Sequence, residues 1–197
     1  EVMAIGRTFK EALQKALRGL EIGHIGLDNK LDYRSIPWEK MLLRLKQPNA
    51  SRIFYVKYAL QSGMSMEEVA QISKIDIWFI AHIQQLINFE NELIAAAKKA
   101  KDFSPEHIRK AKEYGFSDAQ LSRMLGIPES VFRDKRKDLG IVATFKQVDT
   151  CAAEFEAYTP YYYSTYETED EAVIENAKMD RNLGKRKKIM ILGGGPN

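Results

Sequence analysis

The side chains able to act as nucleophiles or metal ligands are few in this sequence. It has a single cysteine, Cys151, and three histidines that lie far apart, His24, His82 and His107. No ligand spacing joins the histidines to the cysteine, so the sequence predicts no metal site. One cysteine also excludes an internal disulfide and is typical of a reducing, cytoplasmic compartment, where Cys151 is expected to be a small packing residue.

Two other patterns have a possible chemical role. Glu154 and Glu156 are two residues apart and would share a face of an extended segment, but without a pocket they are expected to be solvated or capping carboxylates. Gly193, Gly194 and Gly195 follow an apolar stretch that predicts a strand, and their amides could cradle a phosphate. The helix that should follow such a loop is missing, so the cofactor-binding loop is predicted to be incomplete. No catalytic residue is predicted.

Residues 117–137 have the short helix, glycine turn and second helix of a helix-turn-helix. Asp134 and Asp138 interrupt the basic run of the second helix, and the same helical pattern at 63–80 carries apolar residues there instead. A net charge of +3 is also too mild to indicate a nucleic-acid partner. The pattern therefore favours an architectural unit, with a DNA-binding regulator as the alternative. The basic residues concerned are Arg133, Lys135, Arg136 and Lys137.

The elements that must position these residues are mostly helices. Capping boxes, in which a serine or threonine is followed three residues later by Glu or Gln, mark helix starts at Thr8, Ser65 and Ser117. The pattern from Gly63 to Ile75 recurs from Gly115 to Ile127 at an offset of 52 residues. The sequence thus predicts an all-α protein of two small related helical subdomains, then an irregular aromatic-rich strap and a terminal β-strand fragment.

The aromatic-rich strap, residues 148–167, follows neither a helical nor a strand period. Its rings offer a large contact area and its hydroxyls need partners, which is typical of a segment that lies against another surface. The domain-interface candidates are Cys151, Phe155, Tyr161, Tyr162, Tyr163 and Tyr166. Trp38 and Trp78 lie on helices and are the candidates for an oligomer interface.

Membrane-spanning segments, a signal peptide and the two ends of the sequence remain to be considered. No apolar run reaches membrane-spanning length and no signal peptide is visible, so no membrane partner is predicted. The sequence begins without an initiator methionine and stops in a glycine loop, and both ends are expected to be cuts through a longer protein.

Five ordered motifs carry a family resemblance. Glu1-Val-Met-Ala-Ile-Gly-Arg-Thr-Phe and Ala16-Leu-Arg-Gly-Leu-Glu come first, and Val148-Asp-Thr-Cys-Ala-Ala-Glu-Phe follows the helical region. Tyr162-Tyr-Ser-Thr-Tyr-Glu and Ile189-Met-Ile-Leu-Gly-Gly-Gly-Pro-Asn complete the series. The series resembles the middle of the large subunit of carbamoyl phosphate synthase, a ligase of arginine and pyrimidine biosynthesis, over the whole chain.

The resemblance implies a role between two catalytic units. The family's large subunit has two ATP-grasp halves, one making carboxyphosphate and carbamate and the other making carbamoyl phosphate, joined by a helical oligomerisation or connection domain. It implies that 1–20 is the tail of the first half, 21–150 the helical domain, 151–184 the strap and linker, and 185–197 the first strand and loop of the second half.

Cofactors and partners are implied for the longer parent enzyme only. These are ATP with Mg²⁺ or Mn²⁺, K⁺, and a small glutaminase subunit that supplies ammonia. No catalytic residue of the family matches a position in this sequence, so the fragment alone is expected to be inactive. A homo-oligomer is possible, and no nucleic-acid or membrane partner is expected.

Overall fold

The structure, a computed structural model, describes residues 2–155 and 159–172. A 3₁₀ turn at Tyr33–Ser35 follows the first helix, and a two-stranded antiparallel sheet follows the last one. The predicted all-α class is therefore confirmed for the described part of the chain. Its elements are α1 (Phe9–Gly19), α2 (Trp38–Lys46), α3 (Arg52–Gln61), α4 (Met66–Ser73), α5 (Ile77–Ala100), α6 (Pro105–Glu113), α7 (Asp118–Leu125), α8 (Glu129–Asp138), β1 (Thr144–Gln147) and β2 (Tyr162–Thr165).

Five of the eight helices in the described residues, α1, α4, α5, α6 and α7, begin where a side-chain oxygen accepts from a free backbone amide. The Thr8 side chain accepts from the Glu11 amide at 3.2 Å, and Asp76 accepts from the Trp78 amide at 2.8 Å. Ser65 and Ser117 form full capping boxes, because Glu68 and Gln120 bind back to the serine amides. The helix starts predicted from these residues are confirmed.

The two subdomains repeat with a constant offset of 52 residues. α3, α4 and α5 correspond to α6, α7 and α8, and each pair of turns has the same geometry. Gly63 and Gly115 both take left-handed backbone angles, with φ of +94° and +84°. The amide of the next residue then binds back to the preceding helix, Met64 to Ala59 O at 3.1 Å and Phe116 to Ala111 O at 2.9 Å. The predicted repeat is confirmed.

The core lies around the long helix α5, which packs against α1, α3, α4 and α7. Equivalent positions of the two subdomains are fully buried in it. Val69 and Leu121 have no exposed surface, and the same holds for Ile80 and Phe132. Burial of apolar side chains is the main favourable contribution to folding, at about 0.8 kcal/mol per methylene, and the two subdomains share this core.

Strands β1 and β2 form an antiparallel hairpin, whereas the sequence predicts an irregular strap there. Thr144 pairs with Thr165 and Gln147 with Tyr162, so residues 162–165 form a strand. Each strand has only four residues, too few to show the alternation of apolar and polar residues that identifies a strand in a sequence. The two strands also pair across the intervening residues 148–161. The predicted terminal strand and Gly193, Gly194 and Gly195 lie outside the described residues. Within the described part, no helix is long and apolar enough to span a membrane.

Candidate functional site

Helix α1 and strand β2 meet although about 150 residues separate them in sequence. Thr165 Oγ1 donates to Glu11 Oε2 at 3.2 Å, and Lys15 Nζ donates to the carbonyl oxygen of Ser164. Arg7 Nε donates to Glu167 Oε1 at 2.8 Å, which raises the pKa of the Arg7 guanidinium. We call this contact between residues 7–18 and 163–167 the joint.

Glu11 is the centre of the joint and is 2% exposed. Its Oε2 accepts from the Arg7 amide at 2.8 Å as well as from Thr165, while its Oε1 lies 2.9 Å from Lys15 Nζ. A buried carboxylate costs free energy unless its oxygens are bonded, and here both oxygens are. The sequence of α1 therefore fixes where the strand can dock.

A buried ion cluster, formed by Lys112, Asp118 and Arg136, lies in the second subdomain beside the joint. Lys112 Nζ is 2.9 Å from Asp118 Oδ1, and Arg136 Nη2 is 2.9 Å from Asp118 Oδ2. Both cations also donate to backbone carbonyl oxygens. Lys112 Nζ donates to Phe116 O at 2.8 Å, and Arg136 Nη1 donates to Ile141 O at 2.5 Å. Helices α6, α7 and α8 are thus held at one carboxylate.

Tyr166 connects the ion cluster with the hairpin. Its ring lies 5.0 Å from Lys112 Nζ and 5.5 Å from Arg136 Cζ, distances at which a cation is attracted to an aromatic face. Burial raises the pKa of the Tyr166 hydroxyl, which favours its neutral form. Within the joint, the Tyr166 ring therefore attaches the strap to the helical core.

The electrostatics of the ion cluster reflect its burial. Burial lowers the pKa of Lys112 from 10.5 to about 8, an effect that Asp118 only partly offsets. Burial alone would raise the pKa of the Asp118 carboxyl, but hydrogen bonds and charges from Arg136 and Lys112 bring it below its usual value. Asp118 is thus ionised, and Lys112 is the group whose charge is least favourable.

The ion cluster is specific to the second subdomain. At an offset of 52 residues, Lys112 corresponds to Leu60, and Asp118 corresponds to Met66. The first subdomain reaches the same fold with apolar residues at these positions. Buried ion pairs seldom stabilise a protein more than apolar residues of similar size, so the cluster is not expected to make the second subdomain more stable than the first.

A cavity of about 220 Å³ opens between α1, the turn before α7, and β2. Arg18, Lys112 and Tyr166 line it, and Arg18 Nη1 donates to Gly115 O at 2.7 Å across its wall. No group of three or more His, Cys, Asp or Glu side chains in the described residues could hold a metal ion. The cavity has polar walls and no arrangement of nucleophile and base.

The structure places the strap residues unequally. Tyr163 and Tyr166 face the rest of the chain, and Tyr163 OH accepts from Arg7 Nη1 at 3.4 Å. Tyr161 and Phe155 are 67% and 74% exposed. Tyr162 is 37% exposed. Cys151 is half-buried in a turn where its amide donates to Asp149 Oδ1 at 2.9 Å. That these residues contact a neighbouring domain stays a prediction.

The two tryptophans lie at helix starts and are half exposed. Trp38 begins α2 and Trp78 lies near the start of α5, with exposed fractions of 53% and 52%. The Trp78 ring is 5.4 Å from Phe9 and 4.2 Å from His82. Burial and the nearby Lys10 charge lower the pKa of His82. A role of the tryptophans in self-association is not tested by these contacts.

The basic helix of the proposed helix-turn-helix is largely engaged within the chain. Arg133 pairs with Glu129 and Lys135 pairs with Asp102, while Arg136 is 7% exposed inside the ion cluster. Cations that are already paired with carboxylates are less available to neutralise DNA phosphates and to release the counterions bound there. No contact in the described residues favours DNA binding, and we do not propose it.

Sequence reasoning missed the groups that form the joint and the ion cluster. The sequence indicates Glu11 only as part of a capping box and Arg136 only as part of a basic run. The signal that could have found the ion cluster was the repeat itself, because charged Lys112 and Asp118 replace apolar residues in it.

Comparison with known proteins agrees with the resemblance. The family described as "Carbamoyl-phosphate synthetase large chain, oligomerisation domain" matches residues 1–140. The carbamoyl phosphate synthase large chains of Archaeoglobus fulgidus, Pseudomonas aeruginosa and Rhodopirellula baltica are 50%, 46% and 43% identical to this chain over all of its length. The chain spans only 17% to 18% of the length of these relatives. It belongs to the family of carbamoyl-phosphate synthetase large-chain oligomerisation domains.

Proposed function

We propose that this chain connects the two ATP-grasp halves of a carbamoyl phosphate synthase large chain and holds them in a fixed relation. In this proposal 1–20 is the end of the first half, 21–150 is the helical connector, 151–184 is the strap and linker, and 185–197 opens the second half. The boundaries rest on the family resemblance, and the joint is the observation that supports the connecting role.

The joint brings together the two segments that would lead to the two halves. Residues 7–18 and 163–167 bind one another through Glu11, Thr165 and Arg7. A segment held by a buried carboxylate cannot slide along its partner without leaving that charge unsatisfied. The connector would thereby fix one half relative to the other, so that unstable carbamate passes between them without loss.

The parent enzyme would carry out the chemistry. It would make carbamoyl phosphate from bicarbonate, ammonia released by a small glutaminase subunit, and two ATP, in the cytoplasm, for arginine and pyrimidine biosynthesis. ATP, Mg²⁺ or Mn²⁺, and K⁺ would be bound by parts of the large chain outside this sequence. This chain would contribute no catalytic group.

The test is a comparison of coupled and partial reactions in the full-length large chain with its glutaminase subunit. Thr165→Ala removes the hydrogen bond at the centre of the joint, and Glu11→Gln removes the charge and one acceptor oxygen of the buried carboxylate. We expect bicarbonate-dependent ATP hydrolysis and ATP formation from carbamoyl phosphate to stay near wild-type rates. The yield of carbamoyl phosphate per ATP consumed should fall severalfold, because carbamate escapes between misaligned halves.

The matched control is Glu39→Gln, which changes an exposed carboxylate on α2. It should alter neither the partial rates nor the yield. A joint variant that keeps the wild-type yield would contradict the connecting role, and so would one that loses a partial reaction and the yield in equal proportion.

We further propose that the domain self-associates through Trp38 or Trp78, which the half-exposed rings and the family description support. Light scattering across protein concentration should show a dimer or larger species in the wild type. Trp38→Ser or Trp78→Ser should weaken association at least tenfold, since aromatic anchors dominate interface energies. A strict monomer at high concentration would contradict this proposal.

A further inference from the structure

We propose that the cavity between α1, the turn before α7 and β2 binds a small oxyanion, a phosphate or carboxylate group, through Arg18 and Lys112. The site is distinct from the connecting role, because it concerns a ligand held within the joint and not the contact between segments. Its walls come from three parts of the chain that the fold brings together.

Arg18 is the main donor of the proposed site. Its guanidinium makes one hydrogen bond in the described residues, from Nη1 to the neutral carbonyl of Gly115 at 2.7 Å. No carboxylate of the described residues lies within ion-pair distance of its guanidinium. A guanidinium offers five N–H donors in a planar fork that matches a phosphate or carboxylate. Burial lowers the pKa of Arg18, yet an arginine remains charged in proteins. A half-buried, unpaired cation beside a cavity is suited to an anion.

Lys112 supplies a second donor at the same wall. Two of its three ammonium protons go to Phe116 O and Asp118 Oδ1, at 2.8 and 2.9 Å. Among the described residues no third oxygen accepts from Nζ, whose remaining contact is with the Tyr166 ring at 5.0 Å, so one proton remains available to a ligand. An oxyanion close to Lys112 would also favour its charged form, which burial disfavours.

The carboxylates that line the cavity are already neutralised. Glu11 is paired with Lys15, and Glu129 with Arg133, while Asp118 is shared by two cations of the ion cluster. Three cations, Lys15, Arg18 and Lys112, and three carboxylates, Glu11, Asp118 and Glu129, line the cavity. Because Arg133 and Arg136, which lie outside the lining, also pair with these carboxylates, Arg18 is left without a carboxylate partner among the described residues.

The size of the cavity suits a small ligand. A water molecule occupies about 30 Å³ of liquid, so a volume of about 220 Å³ holds a phosphate with several waters, or a small carboxylic acid. Ser164 lines the cavity and is exposed to solvent.

The experiment measures binding of inorganic phosphate and of acetate to the purified chain by calorimetric titration, at constant ionic strength set with NaCl. Saturable binding of either probe, with one site per chain, is the expected result. Stronger binding of phosphate assigns a phosphate-bearing ligand, and stronger binding of acetate assigns a carboxylate. Absence of saturable binding by both probes overturns the proposal and indicates that the cavity holds water only.

Two variants locate the site. Arg18→Gln removes the free guanidinium, and Ser164→Glu adds a negative charge to the cavity lining while leaving Arg18 in place. Each should raise the dissociation constant of the bound probe about tenfold or more. Arg34→Gln, far from the cavity on the 3₁₀ turn, should leave it unchanged. If Arg18→Gln does not fold, Ser164→Glu decides alone. Equal affinity in wild type and Ser164→Glu overturns the proposed location.

Discussion

At the scale of single residues, Asp118 has the largest expected effect, because two buried cations depend on it. Asp118→Asn keeps the shape but leaves Lys112 and Arg136 without their carboxylate. Breaking a buried pair in this way costs about 3–5 kcal/mol. Chemical denaturation should therefore show a loss of that size. The matched change Glu129→Gln breaks an exposed pair with Arg133 and should cost about 0.5 kcal/mol. Equal losses would contradict the importance of the ion cluster.

Lys112 should make the stability depend on pH in the alkaline range. Its pKa is about 8 in the folded chain and 10.5 when unperturbed, so between these values the unfolded chain binds more protons. The free energy of unfolding of the wild type should then rise with pH relative to Lys112→Met. The difference should grow at up to about 1.4 kcal/mol per pH unit. Below pH 8 the two denaturation curves should keep a constant separation, and parallel behaviour up to pH 10.5 would contradict the lowered pKa.

The residue scale is also where prediction from sequence was weakest. The strap aromatics were visible because of their composition, but Glu11 and Arg18 have unremarkable surroundings in the sequence. Their roles depend on contacts across about 100 to 150 residues, as with Arg18 and Gly115 or Glu11 and Thr165. A pattern of hydrophobic periodicity contains no information about such pairs.

At the scale of elements, the repeat provides its own control. Gly63 and Gly115 hold equivalent turns with left-handed φ, but their surroundings differ. A Cβ on Gly115 would lie 2.9 Å from the Cα of Glu11, whereas none of the described atoms is within 4 Å of a Cβ on Gly63. Gly63→Ala should therefore cost about 1–2 kcal/mol from backbone strain alone. Gly115→Ala should cost about 1–3 kcal/mol more, because α1 must move. Denaturation of both variants measures the difference, and equal costs would show that α1 is not tightly docked.

Helix starts were predictable because capping is local. The serines at 65 and 117 and the residues three positions later contain all the information that their capping boxes need.

The hairpin of β1 and β2 was not predictable, because its contacts are not local in the sequence. Its strands have four residues each and pair across an intervening loop, and the Lys146 side chain in β1 is held by carboxylates of Glu167, Glu169 and Glu171 beyond β2.

At the scale of the whole molecule, the strap has an inner and an outer face. Tyr166 and Tyr163 contact the ion cluster and Arg7, so they stabilise this chain itself. Phe155 and Tyr161 are among its most exposed large side chains. Under the proposed connecting role, the outer rings are the ones that a neighbouring half of the large chain would cover.

This division predicts different effects in the short chain and in the full-length enzyme. Tyr166→Ala should lower the thermal midpoint of both, since it removes a ring already packed on Lys112. Tyr161→Ala and Phe155→Ala should leave the short chain unchanged, because both rings are exposed there. In the full-length large chain each should destabilise the docked state by about 1.5–3 kcal/mol, the free energy of burying a large apolar side chain. Scanning calorimetry of both proteins measures the midpoints. If the outer variants lower neither midpoint, those rings are not at a domain contact, and the strap then serves only the helical subdomains to which Tyr166 attaches it.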